Sequence, residues 1–289
     1  MAYRRILVPL RGSAADAHVL KAAFDVATVF GSHVAAVYVR PDAAAVLRHL
    51  GKGVSVRMRQ EIVEAVHDDA KHGADAAHAA LNHAAKGADA PVQPPGKAAA
   101  GVGASFHVHE GPCEAVMTEE ARLCDLSVFD SPSETKDDDM RAALEAVLLS
   151  SRRPLLLVPP GTKHIVGAKV AVGWDGGAAA ANAVLAAVPL LKRAEAIEVL
   201  HVAAGKPANS VQMERLCDYL RLQGQSAVPH AIDPGSQETA AALMDAAHKS
   251  RAGLLVIGGY GHSRLRELVL GGVTRYVFAN AAMPVFMAH

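Results

Sequence analysis

The feature that most constrains this chain is an internal repeat. Ile6-Leu7-Val8-Pro9-Leu10-Arg11-Gly12-Ser13 aligns with Val170-Ala171-Val172-Gly173-Trp174-Asp175-Gly176-Gly177. Each copy is a short apolar run, then a polar residue, a glycine and a small residue, followed by an Ala-rich stretch of helical character. Further along, 34–39 parallels 197–202, and Leu126-Ser127-Val128-Phe129-Asp130 parallels Leu254-Leu255-Val256-Ile257-Gly258. Both halves finish on a proline and an apolar run, from Pro154 to Val158 and from Pro284 to Met287. Proline is tolerated as the first residue of a strand, where its missing N–H need not join the ladder. Self-similarity on this scale means two copies of one arrangement.

In the second copy the pattern predicts strands at 169–174, 196–202, 226–232, 253–258 and 284–288. Helices are predicted at 178–192, 209–223, 236–250 and 271–281. Apolar runs of five or six residues that alternate with helices are the signature of an α/β protein, with a parallel sheet covered on both faces. The first copy follows the same order with one difference. Asp175 and Gly258 are 83 positions apart, whereas Arg11 and Asp130 are 119 apart, an excess of 36 that falls between the second and third strands. Part of it reads as a long helix, about 55–87. The rest, Gly87 to Gly103 with Pro91, Pro94 and Pro95, reads as a mobile loop. Gly161 to Gly167 reads as the linker between two tandem domains, 1–160 and 168–289. The 289 residues suit two domains, at ~150 residues each.

Composition removes several function classes. Lys+Arg and Asp+Glu are both 29, so the basic excess of a general nucleic-acid binder is missing. With 1 Trp, 5 Tyr and 6 Phe the chain has few platforms on which single strands could stack. Cys113, Cys124 and Cys217 show no CxxC spacing, and an odd, sparse set fits free thiols in a reducing compartment. No run of ~18 apolar residues predicts a membrane helix. The beginning of the chain lacks the apolar stretch of a signal peptide. The expectation is a cytoplasmic protein without a membrane or nucleic-acid partner.

The most informative motif is Gly258-Gly259-Tyr260-Gly261, then nine residues, then Gly271-Gly272. Glycine lets a backbone approach a ligand closely. A glycine turn leaving a strand can aim consecutive N–H groups at an anion, and a helix beginning near Gly271 or Gly272 adds its N-terminal dipole. Two such clusters could hold a polyphosphate between them; the same glycines also suit plain tight turns. No Gly-Lys-Ser/Thr follows, and the motif is not GxGxxG.

Here the chain resembles the universal stress protein family, in its tandem two-domain form. The family's nucleotide loop, G-x2-G-x9-G-(S/T), is matched by Gly258-x2-Gly261-x9-Gly271, with Gly272 where a hydroxyl residue is usual. Thr274, two residues on, carries the next hydroxyl, and the N–H groups of Gly272 and Val273 survive the change. The resemblance implies open five-stranded parallel sheets of order 3-2-1-4-5, with helices on both faces. It implies ATP as ligand, alone or with Mg. Ligands bind where such an order reverses, beyond the carboxyl ends of the strands. Asp175, with Trp174 beside it, would face the nucleoside. Val202 would offer backbone groups to the adenine edge, and His262 and Ser263 in the loop would touch phosphates. Asp175 equally suits a helix N-cap over Gly176 to Ala180. The resemblance also implies that the final strands of the two halves meet across a pseudo-twofold axis, as an internal pseudo-dimer, and it leaves a homodimer of whole chains open.

The first half departs from the motif. Arg11 replaces the aspartate, Asp130-Ser131-Pro132-Ser133 replaces the first glycines, and Asp137-Asp138-Asp139 follows, where carboxylates would repel a triphosphate. The three acids also suit a solvated helix start. His67, His72, His78 and His83 do not stack on one helix face, and no nucleophile motif is apparent. The reading is therefore an ATP-binding stress-response protein with a regulatory role toward a protein partner. The alternatives are a slow ATPase or nucleotidyl-transfer enzyme, and a structural dimer module that binds no nucleotide.

Overall fold

The computed structural model describes residues 3–41, 55–97, 100–131, 138–203, 210–259 and 272–289. Its first-half strands are β1 (Arg5–Leu10), β2 (His33–Arg40), β3 (Val92–Gln93), β4 (Gly103–Glu110), β5 (Leu126–Asp130) and β6 (Leu155–Val158). Those of the second half are β7 (Val170–Gly173), β8 (Ile197–Val202), β9 (Ala227–Ile232), β10 (Leu254–Gly258) and β11 (Val285–Ala288). The first-half helices are α1 (Asp16–Phe30), α2 (Val56–Gly87), α3 (Cys113–Arg122) and α4 (Asp138–Ala146), the last continuing as a π-turn, Val147–Ser151. α5 (Ala178–Leu191), α6 (Ser210–Leu222), α7 (Thr239–Lys249) and α8 (Gly272–Asn280) follow.

All strands join one sheet in the order β3-β4-β2-β1-β5-β6-β11-β10-β7-β8-β9. Each half contributes the expected 3-2-1-4-5 order. Pairing is parallel within each half. It is antiparallel only at the seam, where Leu155, Leu156 and Leu157 face Met287, Phe286 and Val285. The expected meeting of the two final strands is thus present. Because equivalent strands run in opposite directions there, the carboxyl ends of the two halves lie on opposite edges of the sheet.

Alternation decides which face each strand residue buries. Ile6, Val8, Val34, Ala36, Leu156, Val172, Val256 and Phe286 form one core face, which extends through both halves. Leu7, Val37, Leu155, Leu157, Ala171, Leu255, Ile257, Val285 and Met287 form the other. Because neither core stops at the seam, the halves share their apolar burial, the dominant favourable term in folding.

Two further contacts tie the halves together. The Tyr3 hydroxyl donates to the Ala186 carbonyl of α5 at 2.8 Å. Pro189 lies inside α5 and has no N–H for the carbonyl four residues back, that of Leu185, next to the residue Tyr3 binds. Burial, followed by the Asp125 carboxylate, pushes the Tyr3 phenol far up and keeps it protonated. Arg193 places its guanidinium 5.4 Å over the Phe30 ring.

The segment expected to be a mobile loop needs correction. Val92 and Gln93 form β3, parallel to β4 with partners Ala104 and Ser105. The prolines around them leave just enough chain to cover the edge of β4, which is where prolines are tolerated in sheets.

Candidate functional site

Strand order reverses at β1 in the first half and at β7 in the second, and each reversal opens a crevice beyond the carboxyl ends. The two crevices are built from equivalent positions but differ in chemistry.

In the second half, Trp174 follows β7. Its N–H donates to the Leu200 carbonyl at 2.8 Å. Its own carbonyl lies 2.8 Å from His201 Nδ1, so that ring nitrogen carries the proton. The Trp174 indole nitrogen is buried without a partner. Asp175 is exposed, and its Oδ1 accepts the Gly177 N–H at 2.8 Å. The residue that caps α5 is Gly177, in an extended conformation, so the N-cap expectation for Asp175 is corrected: the carboxylate closes a turn over Gly177 rather than capping the helix itself. Gly176 has φ +77°, a left-handed conformation that glycine adopts without strain, and the Gln212 side chain of α6 lies against it. Val202 closes β8 half-buried, in register with Ile232.

Gly258 ends β10 against the first turn of α5. A Cβ there would lie 2.5 Å from the Ala180 nitrogen and 2.6 Å from the Ala179 carbonyl carbon. Packing alone therefore demands this glycine. Gly259 is held on three sides. Its N–H donates to the Ala288 carbonyl at 2.8 Å. Its carbonyl is 3.0 Å from His289 Nδ1. A Cβ on it would lie 2.8 Å from Leu148 Cδ2 of the first half. Gly261, His262, Ser263 and Gly271 lie outside the described residues. Gly272, which opens α8, is exposed, and a Cβ on it would meet nothing within 4 Å. Val273 is half-buried, whereas Thr274 is buried and turns its side chain away from solvent.

The first-half crevice is filled by the chain itself. Arg11 donates to Asp130 Oδ2 at 2.7 Å, and His18 Nε2 lies 2.8 Å from Asp130 Oδ1. Arg11 is therefore an ion-pairing residue. The N–H groups of Arg11, Gly12 and Ser13 all turn to the Asp16 carboxylate, at 2.9, 2.8 and 3.3 Å. Burial pushes the Asp16 carboxyl up, against the opposing pull of those three N–H groups and of Arg11. Gly12, at φ +71°, sits under Gly73 of α2, so that a Cβ on Gly12 would collide with the Gly73 backbone. Asp138 and Asp139 lie in the first turn of α4, where acids complement the helix dipole. Among the described residues, no three His, Cys, Asp or Glu side chains converge to hold a metal.

Residues 168–289 match the family model described as the universal stress protein family. The second half of the chain belongs to the universal stress protein family. Solved structures extend the likeness of fold to the whole chain. A universal stress protein from Archaeoglobus fulgidus DSM 4304 is 15% identical, with 98% of this chain and 95% of that one covered at a TM-score of 0.66. A functionally unknown protein from Pseudomonas aeruginosa PAO1 is 16% identical, with 99% and 92% covered at a TM-score of 0.55. No curated protein matches the chain.

Sequence reasoning missed His201, Asp16, His18 and Leu148. His201 was within reach, since it sits one residue before Val202 at a strand end. Asp16 and His18 fall on the first turns of α1, and their partners are fixed only by folding.

Proposed function

We propose that the chain is a regulatory adenine-nucleotide-binding stress protein of the cytoplasm. It holds one nucleotide in domain 168–289, and domain 1–160 is a degenerate partner. The observation that carries the reading is the contrast between the crevices. In the first, an Arg11–Asp130–His18 cluster and α2 occupy the space where a ligand would sit. In the second, the equivalent positions are an exposed Asp175 and Gly258, and α8 starts on a glycine with open space around it.

The residues present suit the ligand. Asp175 accepts hydrogen bonds from ribose hydroxyls, because a carboxylate oxygen has more than one acceptor site. The start of α8 offers the N–H groups of Gly272 and Val273 and a favourable dipole to phosphate. The unpartnered Trp174 indole N–H supplies a donor at the same strand end. Mg would be carried chiefly by phosphate oxygens and water. Among the described residues no side chain is arranged as a nucleophile with its base, and binding is the activity proposed. The thiols fit a reducing compartment: none of the three forms a disulfide, and burial pushes Cys124 up to about 12.

Titration calorimetry of the intact chain with ATP tests this, together with mass spectrometry of whatever acid releases from the purified protein. One equivalent of adenine nucleotide is expected. Two equivalent sites would give the first half a ligand, and no binding would leave the structural dimer module as the better reading.

A further inference from the structure

The first half carries a half-buried histidine cluster around a buried serine that has no part in either crevice. It lies on the sheet face covered by α3. His33 opens β2, and Ser105 and His107 are two residues apart on β4. His33 Nε2 and His107 Nε2 each lie 2.8 Å from the Ser105 hydroxyl oxygen. Ser105 is buried, at 1% exposure. The His107 ring stacks parallel to that of His109, with centroids 6.3 Å apart, and His109 Nε2 is 3.5 Å from Glu120 Oε1 of α3. Arg5 of β1 pairs with the same carboxylate at 2.9 Å.

We propose that the His33–Ser105–His107 chain is an acid-sensitive clasp, which ties edge strand β4 to β2 while both rings are neutral and releases it once they are protonated.

Proton counting within the chain supports this. A hydroxyl has one proton, so it donates to one ring and accepts from the other. That arrangement needs one neutral ring to present a bare Nε2. Protonating that ring makes both Nε2 atoms donors and leaves the Ser105 proton without its acceptor inside a buried site. His33 adds a second constraint. Its Nδ1 is buried without a partner, so a charged His33 would bury an N–H that has nothing to bond. Either unmet group costs enough to favour opening the site to water.

The surroundings point the same way. Burial, then Arg5 and the neighbouring His107, hold His33 below the usual histidine range. Burial also holds His107 down, joined by Arg5 and His109; only Glu120 favours its charge, and Glu120 is already shared with Arg5. A histidine held down in the fold binds fewer protons than in the unfolded chain. Its contribution to stability is complete above the ordinary value of about 6.5 and declines as pH falls below it.

Strand β4 is the element placed to give way. β2 is hydrogen-bonded on both sides, by β1 and β4. Beyond β4 lies only the two-residue β3. Among the described residues no three His, Cys, Asp or Glu side chains converge as metal ligands, and the histidines of the cluster are titratable.

Amide hydrogen exchange of the intact chain at about pH 7.5 and about pH 5 tests the clasp, since histidine charge changes between these values. Each rate is referred to the intrinsic rate at that pH, and β10, which contains no histidine, is the internal reference. Protection of residues 103–110 is expected to fall about tenfold or more at the lower pH while β10 holds, one pKa unit being a factor of ten. In the double variant His33→Gln, His107→Gln, which keeps amide hydrogen-bonding capacity without the charge, β4 protection should not depend on pH. Unchanged protection in the natural chain, an equal fall in β10, or an undiminished fall in the variant would overturn the proposal. If the variant does not fold, NMR titration of the His33 and His107 rings in the natural chain decides. Midpoints below about 6.5 that coincide with the loss of protection are required, and midpoints at or above it overturn the clasp.

Discussion

Gly258→Ala separates a glycine kept for packing from one kept for phosphate. The backbone at Gly258 is not left-handed, so alanine brings no torsional strain and its whole effect comes from contact. The added carbon would meet the Ala180 nitrogen at 2.5 Å, the Ala179 carbonyl carbon at 2.6 Å and the Ala179 Cβ at 2.9 Å. Two of these three atoms are backbone, and no rotamer can move them. β10 cannot retreat either, because it is paired to β7 on one side and to β11 on the other, with Gly258 itself opposite Ala288. Overpacking of a fixed site costs roughly 1–3 kcal/mol, which lowers the melting midpoint by about 2–4 °C per kcal/mol in a chain of this size. Gly272→Ala is the control. Its new carbon meets nothing within 4 Å, so stability should stay within about 0.5 kcal/mol. Thermal and urea unfolding of the two variants, with no nucleotide present, is the assay. If Gly258→Ala unfolds at the natural midpoint, the close approach to α5 is wrong, and the glycine must be explained by a ligand.

Asp175→Ala should weaken adenine-nucleotide affinity by about 1–3 kcal/mol, the value of one or two lost hydrogen bonds to a charged group, as read by calorimetry. An unchanged affinity would take Asp175 out of the ligand site. Tyr3→Phe removes the hydroxyl that meets the Ala186 carbonyl across the halves and should cost about 0.5–1.5 kcal/mol in urea unfolding. A neutral result would show that water replaces the bond.

Much of the fold was legible because the repeat and the apolar runs report the same thing. A strand buried on both faces must be apolar at successive positions, which placed β7, β8, β10 and β11 to within a residue or two; β9, exposed along Val228–Ala231, was placed by its position in the repeat. β3 was not legible. Two residues make no period, and their strand character comes only from the β4 edge they cover. The crevices were half legible. That residues 130–139 are acidic where 258–272 is glycine-rich could be read directly. That Asp130 would be gripped by Arg11 and His18 could not, since Arg11 and Asp130 are 119 positions apart and only the β1–β5 pairing brings them together. Gly258 was read as a phosphate-loop glycine, yet its contact with α5 is a property of packing that no local motif carries.

The long insertion and the filled first crevice have one physical origin. The excess of 36 residues between β2 and β4 is spent largely on α2, and α2 brings Gly73 down onto Gly12 and onto the Tyr38 hydroxyl at the end of β2. In the second half, the position equivalent to Gly12 is Gly176, and it meets the side-chain amide of Gln212 instead. Both glycines are left-handed, Gly12 half-buried and Gly176 exposed, and what lies against them differs in kind. A glutamine side chain can change position through its own rotatable bonds. A helix backbone packed through Ala70, Ala74, Ala77, Leu81 and Ala85 moves only if that whole buried face moves with it. On the proposed reading, a ligand beside Gly176 would have to move one side chain, whereas a ligand beside Gly12 would have to displace a helix.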